Sequence, residues 1–158
     1  MNPTRNDLPS ETRTRMVTLL NARLADAIDM YAQAKQAHWN VKGPHFIALH
    51  QLFDQVATAV EGGIDEIAER AVALGGIADG TLKTVVGRTT LKPYPENTIA
   101  GPEHVTLVAT ALASYARALR AAIDDSAQAG DADTSDLFTS ISREVDKQLW
   151  MVEAHLQQ

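Results

Sequence analysis

The chain of 158 residues suits one domain with its own core. Its net charge of −6 disfavours phosphate binding by overall field and suits cations, and with no cysteine it excludes disulfides, Fe–S clusters and thiolate zinc. The first ten residues are polar and no run of roughly 18 apolar residues follows, so neither a secretory leader nor a membrane span is expected. The first long helix is predicted from Ser10-Glu11, a capping residue followed by an acid, to about Asn40. Its apolar stripe is Val17, Leu20, Leu24, Ile28 and Tyr31. Gly43-Pro44 stops it, and the proline is well placed to start the next helix. Residues 1–10 read as a short tail, and 11–158 as the domain.

The second helix is predicted from about His45 to Leu74, with Leu49, Leu52, Phe53, Val56, Val60, Ile67 and Leu74 as its core stripe and Gly75-Gly76 as its stop. Residues 77–100 are rich in turn formers: Asp79-Gly80, Gly87, Pro93, Pro95 and Asn97. So long a connection is expected to cross the bundle and link two parallel helices, with room for a short helix inside it. A third long helix follows from Gly101-Pro102-Glu103 to about Gln128, carrying Val105, Val108, Leu112, Tyr115, Leu119 and Ile123; Gly130 closes it. A fourth starts around Asp133-Thr134-Ser135, with Leu137, Ile141, Val145, Leu149 and Val152. Two short loops and one long crossover predict an all-α, ferritin-like four-helix bundle.

The second helix carries another stripe of His50, Asp54, Glu61, Asp65 and Glu69. Asp54 and Asp65 differ by about 20° around the axis, and His50 and Glu69 flank them on the same face. Imidazole and carboxylate without sulfur suit iron, manganese or zinc better than copper(I). Asp54 and Asp65 are about 16 Å apart along a helix, too far for one metal centre. The pairs 50 plus 69 and 54 plus 65 share the midpoint 59.5. Two copies packed antiparallel about a twofold axis near Ala59 and Val60 would set His50 and Asp54 of one against Asp65 and Glu69 of the other, in two equivalent sites. Ala57, Thr58, Ala59, Gly62 and Gly63 are small enough for close approach there. A solvated polar face is the ordinary alternative, and Glu66 and Arg70, at i,i+4, fit surface partners.

Ala37-His38-Trp39-Asn40-Val41-Lys42-Gly43 with Phe46-Ile47-Ala48-Leu49-His50-Gln51-Leu52-Phe53-Asp54 resembles the first signature of the Dps family, the miniferritins. Asp65-Glu66-Ile67-Ala68-Glu69-Arg70-Ala71 with Leu74-Gly75-Gly76 resembles the second. Leu91-Lys92-Pro93-Tyr94-Pro95 and Asp146-Lys147-Gln148-Leu149-Trp150 also fit, and the resemblance covers nearly all the chain after about residue 10. It implies a hollow homododecamer with ferroxidase sites at twofold interfaces. Each site would take two irons, with His38, His50 and Asp54 from one subunit and Asp65 and Glu69 from its neighbour. Glu69 is the expected primary or bridging ligand, and His38 the ligand of the second iron or of a water. Hydrogen peroxide is the expected oxidant, ferric mineral the product, and the cytoplasm or nucleoid the setting.

Trp39, beside His38, is a candidate electron donor to stray oxidants; packing at the dimer seam is its ordinary alternative. The resemblance also places acids near Asp131, Asp133 and Asp136 at a threefold iron-entry pore, whereas acids at a helix start ordinarily cap it. His45, His104 and His155 have no ligand constellation and read as surface or packing residues. DNA compaction is the rival function. The first fifteen residues hold Arg5, Arg13 and Arg15 against Asp7 and Glu11, with no lysine, so DNA binding is expected to be weak and salt-sensitive or absent. A structural or zinc-binding bundle, with the stripe a mere interface, is the third class.

Overall fold

The computed structural model describes residues 1–157, and among them five helices and no strand: α1 (Ser10–Asn40), α2 (Phe46–Ala73), α3 (Leu82–Arg88), α4 (Gly101–Gln128) and α5 (Ala132–Glu153). The short helix α3 lies in the crossover, so the third and fourth long helices are α4 and α5. The ferritin-like bundle expected from the sequence is the fold observed. α1 packs chiefly on α2, and α4 on α5, as two hairpins joined by the crossover.

The ends of α2 and α4 owe their geometry to local chemistry. α2 ends in a Schellman arrangement: Gly75 N–H donates to Val72 O and Gly76 N–H to Ala71 O, with Gly75 at φ 86°. α4 ends the same way, Gly130 N–H to Ala127 O and Asp131 N–H to Ser126 O, with Gly130 at φ 79°. Asp131 then caps the next helix by accepting from Thr134 N–H at 3.0 Å, so one residue closes α4 and opens α5. Ser10 is not a cap: it is the first helical residue, Pro9 precedes the helix, and no side chain caps that end.

The core stripe of α2 is buried as expected except for Leu52, which is half-buried. On α1 the buried face is rotated from the expected one. Met16, Leu20, Leu24, Ala27, Met30, Ala34 and Ala37 face the core, whereas Val17, Ile28 and Tyr31 flank it. Buried alanines make up much of this face, and an apolar stripe built from the largest residues misses them. Phe138 of α5, absent from the expected stripe, is also fully buried.

A polar row on α1 fixes the crossover. Asn21 donates to Ile77 O at 2.9 Å and accepts from Asp79 N–H at 2.8 Å. The buried Asp26 accepts from Thr90 N–H at 2.7 Å and pairs with Arg23 at 2.9 Å. Asp29 accepts from Thr89 Oγ1 at 2.7 Å, and Gln33 donates to Lys92 O at 3.0 Å. Each bond satisfies backbone or side-chain groups that would otherwise be lost beneath the strap.

Candidate metal centre

His38 lies in the last turn of α1 and His50 in the second turn of α2. The short turn through Gly43, at φ 120°, folds α2 back on α1 and brings the two rings together. Their centroids are 3.7 Å apart and the planes 21° from parallel. His38 Nδ1 lies 2.7 Å from His50 O, and His50 Nδ1 lies 2.8 Å from His38 O. A carbonyl only accepts, so each Nδ1 carries the hydrogen. In the neutral rings this leaves both Nε2 lone pairs for a ligand, the tautomer a metal-binding histidine needs. Phe46 leans on His50 at 5.1 Å and limits its swing.

Asp54 is one turn beyond His50. Its Oδ1 is 4.0 Å from His38 Nδ1, so His38, His50 and Asp54 form one cluster at one end of the α1–α2 hairpin. Lys35 joins them, its ammonium 2.6 Å from Asp54 Oδ1. The Lys35 hydrogen bond, foremost, holds the Asp54 carboxyl below its ordinary range; slight burial opposes it, while the Lys35 charge and then His38 and His50 add to it. Lys35 was not among the residues expected at the site. Its position three residues before His38, on the same helical face, was the available signal.

Asp65 and Glu69 are elsewhere. Both are exposed on α2, beyond reach of the histidine cluster, and neither makes a hydrogen bond or ion pair among the described residues. Within one chain, no group of three or more His, Cys, Asp or Glu able to hold a metal occurs among the described residues. The five expected ligands therefore fall into two separate half-sets along α2.

Between the half-sets lies a groove of about 170 Å³ beside Ala59, Gly62 and Gly63 of α2 and Ile141 of α5. A Cβ on Gly62 would meet nothing within 4 Å, whereas one on Gly63 would lie 3.3 Å from Ile141 Cγ2. The expectation that all the small residues here serve approach to a second copy needs correcting. Ala57 is buried and Gly63 packs on α5 within the chain, so Thr58, Ala59 and Gly62 are the small residues left facing outwards.

Asp131 also departs from expectation. It is 1% exposed, pairs with Arg70 at 2.7 Å and accepts from Thr134 N–H and Oγ1. It is thus a helix cap and a clamp between α2 and α5 rather than an acid free to line a channel. Arg70 accordingly does not partner Glu66: it donates to Asp131 and Thr134 and approaches Asp133 at 3.7 Å. Asp133 and Asp136 are exposed. Trp39 is 66% exposed, with its ring centroid 5.9 Å from Lys35 Nζ. His45 and His155 are exposed, whereas His104 is fully buried, bonded to Tyr94 Oη at 2.5 Å and set against Phe53.

The ferritin-like domain model matches residues 17–158. The chain is 46% identical to the "DNA protection during starvation protein" of Agrobacterium fabrum over 98% of this chain and 96% of that one. It is 32% identical to the protein of that name from Brevibacillus brevis, over 90% and 95% of the two chains. Among solved structures, Dps of Mycobacterium smegmatis superposes with a TM-score of 0.94 at 27% identity, covering 100% of this chain and 95% of that one. The Dps protein of Vibrio cholerae O1, described as a member of a broad superfamily of ferritin-like diiron-carboxylate proteins, gives 0.91 at 25% identity, covering 99% and 98%.

Proposed function

The chain belongs to the ferritin-like family and, within it, to the Dps proteins, and from that membership we propose that it oxidises Fe(II) and stores ferric iron in a hollow homododecamer. The observation that carries this reading is the division of the ligands. Two histidines with Nε2 left for metal stand beside Asp54, and the complementary carboxylates Asp65 and Glu69 stand exposed along the same helix. The symmetric register of the two half-sets about position 59.5 supports a centre completed across a twofold axis, with two irons bound as substrate.

Each group then has a part. Asp54, Asp65 and Glu69 supply negative charge that favours Fe(III) over Fe(II), with Glu69 the primary or bridging ligand. The backbone carbonyls of positions 38 and 50 hold the imidazoles in the tautomer that presents Nε2. Two Fe(II) give two electrons to one hydrogen peroxide, which takes two protons and leaves as two waters. Splitting the peroxide by a paired donation avoids release of a hydroxyl radical, and ferric hydrolysis in the cavity follows. We assign Asp133 and Asp136 as candidates for an iron entry path and Trp39 as a candidate electron donor to stray oxidants. No helix among the described residues is long and apolar enough to cross a membrane; a cytoplasmic setting belongs to the proposal.

The test is to load Fe(II) without oxygen, add peroxide, and follow ferric absorbance and particle size. Rapid oxidation by a particle of about twelve subunits is expected. Oxidation at the background rate, or a monomer, would contradict the reading. The relatives' names, DNA protection during starvation, favour a second reading, protection of DNA, for which binding it is one route. The acidic chain argues that such binding is weak and vanishes with salt.

A further inference from the structure

His45 and His155 are far apart in the sequence, yet both line one cavity of about 300 Å³. It lies where the α1–α2 turn, the start of α4 and the residues just past α5 meet. The buried Leu49 and Val105, with Pro102, give it apolar walls. A Cβ at Gly101 would lie 2.7 Å from Leu49 Cδ1, so the glycine lets α4 begin directly against that wall. Lys42 lines the cavity as well, and none of the proposed iron ligands does.

The charge in the lining has one sign. Lys42 makes no ion pair among the described residues, and no acid lines the cavity. His45 precedes α2 and Pro102 lies in the first turn of α4, so two helix starts border the cavity, and neither has a side-chain cap. Such ends carry partial positive charge. Two imidazoles alone would suit a transition metal, and His155 Nδ1, 3.1 Å from Met151 O, leaves Nε2 for a ligand in the neutral ring. The Lys42 ammonium and the lack of any carboxylate in the lining decide against a cation and for an anion. We propose that this cavity binds a small amphipathic monocarboxylate, its head on Lys42 and its chain on Leu49, Val105 and Pro102. One ammonium matches one negative charge, whereas apolar walls penalise a strongly hydrated phosphate. The volume is at the low end for ligand pockets, so a short chain fits and a long lipid does not. The inference is independent of the iron centre proposed above.

The test is a calorimetric titration of the assembled protein with octanoate, with octanol as the uncharged analogue. Octanoate should bind once per chain, at least about tenfold more tightly than octanol. Lys42→Met removes the charge and keeps a long apolar stem. It should weaken octanoate about tenfold while leaving octanol binding and iron oxidation unchanged. If the methionine variant fails to assemble, Lys42→Gln makes the same comparison. No octanoate binding, or octanol bound as tightly, would overturn the proposal, and so would octanoate binding that ignores the loss of Lys42. Zn(II) titration checks the metal alternative: wild type and His45→Ala with His155→Ala should bind equal amounts. Loss of one Zn(II) per chain in the double variant would assign the cavity to a metal and overturn the carboxylate.

Discussion

The stacked pair His38 and His50 differs from ordinary surface histidines in one respect: both Nδ1 atoms are engaged by backbone carbonyls. Local folding thus sets the tautomer that the proposed metal centre requires. His104 shows the opposite use of the residue. Burial, foremost, pushes its pKa below the ordinary value; the Thr98 backbone, Glu103 and the Asn40 backbone oppose this. A folded-state pKa below the unfolded one means that the unfolded chain binds the extra proton. Stability from this group is therefore present above about pH 6.5 and is lost as pH falls below it. The urea midpoint should drop between pH 7 and pH 5, and less so in His104→Gln; an equal drop in both would place the sensitivity elsewhere. Asp131 carries a second prediction. Asp131→Ala removes a cap worth about 1 kcal/mol and leaves Arg70 without its buried partner, so a loss of about 2–3 kcal/mol in unfolding free energy is expected. Asp131→Asn keeps an oxygen for Thr134 and should cost less. Asp133→Asn with Asp136→Asn should slow iron uptake with stability unchanged; normal uptake would remove both from an entry path.

α2 is where folding and chemistry share one helix. Its core stripe faces its own bundle, and its polar stripe carries both half-sets of proposed ligands. Glycines 62 and 63 separate the two uses. Gly63→Leu should destabilise the chain, because Ile141 already lies against that position. Gly62→Leu should leave the helix folded, since nothing lies within 4 Å of its Cβ position, yet block close approach of a second α2. Size-exclusion chromatography and ferroxidase assay together decide: a full-size, active Gly62→Leu particle would remove α2 from the interface. The helices themselves were legible in the sequence because Gly43-Pro44, Gly75-Gly76 and Gly130 punctuate a strong 3.6-residue period. The buried face of α1 is harder to read because Ala27, Ala34 and Ala37, rather than only the largest residues, mark it. The proximity of His50 to Asp54 follows from one turn of helix, but the Lys35–Asp54 contact joins two helices and depends on how they cross. The engagement of Asp131 by Arg70 depends likewise on α2 meeting α5, which periodicity along one helix does not specify.

At the scale of the whole molecule, the chain's −6 charge is multiplied in any assembly of identical copies. Such a body should attract Fe(II) and repel DNA. Retardation of DNA in a gel is therefore expected only at low salt and should disappear at moderate salt; tight binding there would restore the DNA-centred reading. The central claim is that each oxidising centre is completed by two chains. It is tested most directly by mixing two inactive proteins, one carrying His50→Ala with Asp54→Asn and the other Asp65→Asn with Glu69→Gln. Each alone should lack ferroxidase activity, because both of its twofold-related centres lose one half-set. When the two are unfolded and reassembled together, each mixed pair regains one centre with all its ligands. Random pairing predicts recovery of roughly a quarter of wild-type activity. A mixture as inactive as its components, with assembly confirmed, would contradict a shared centre.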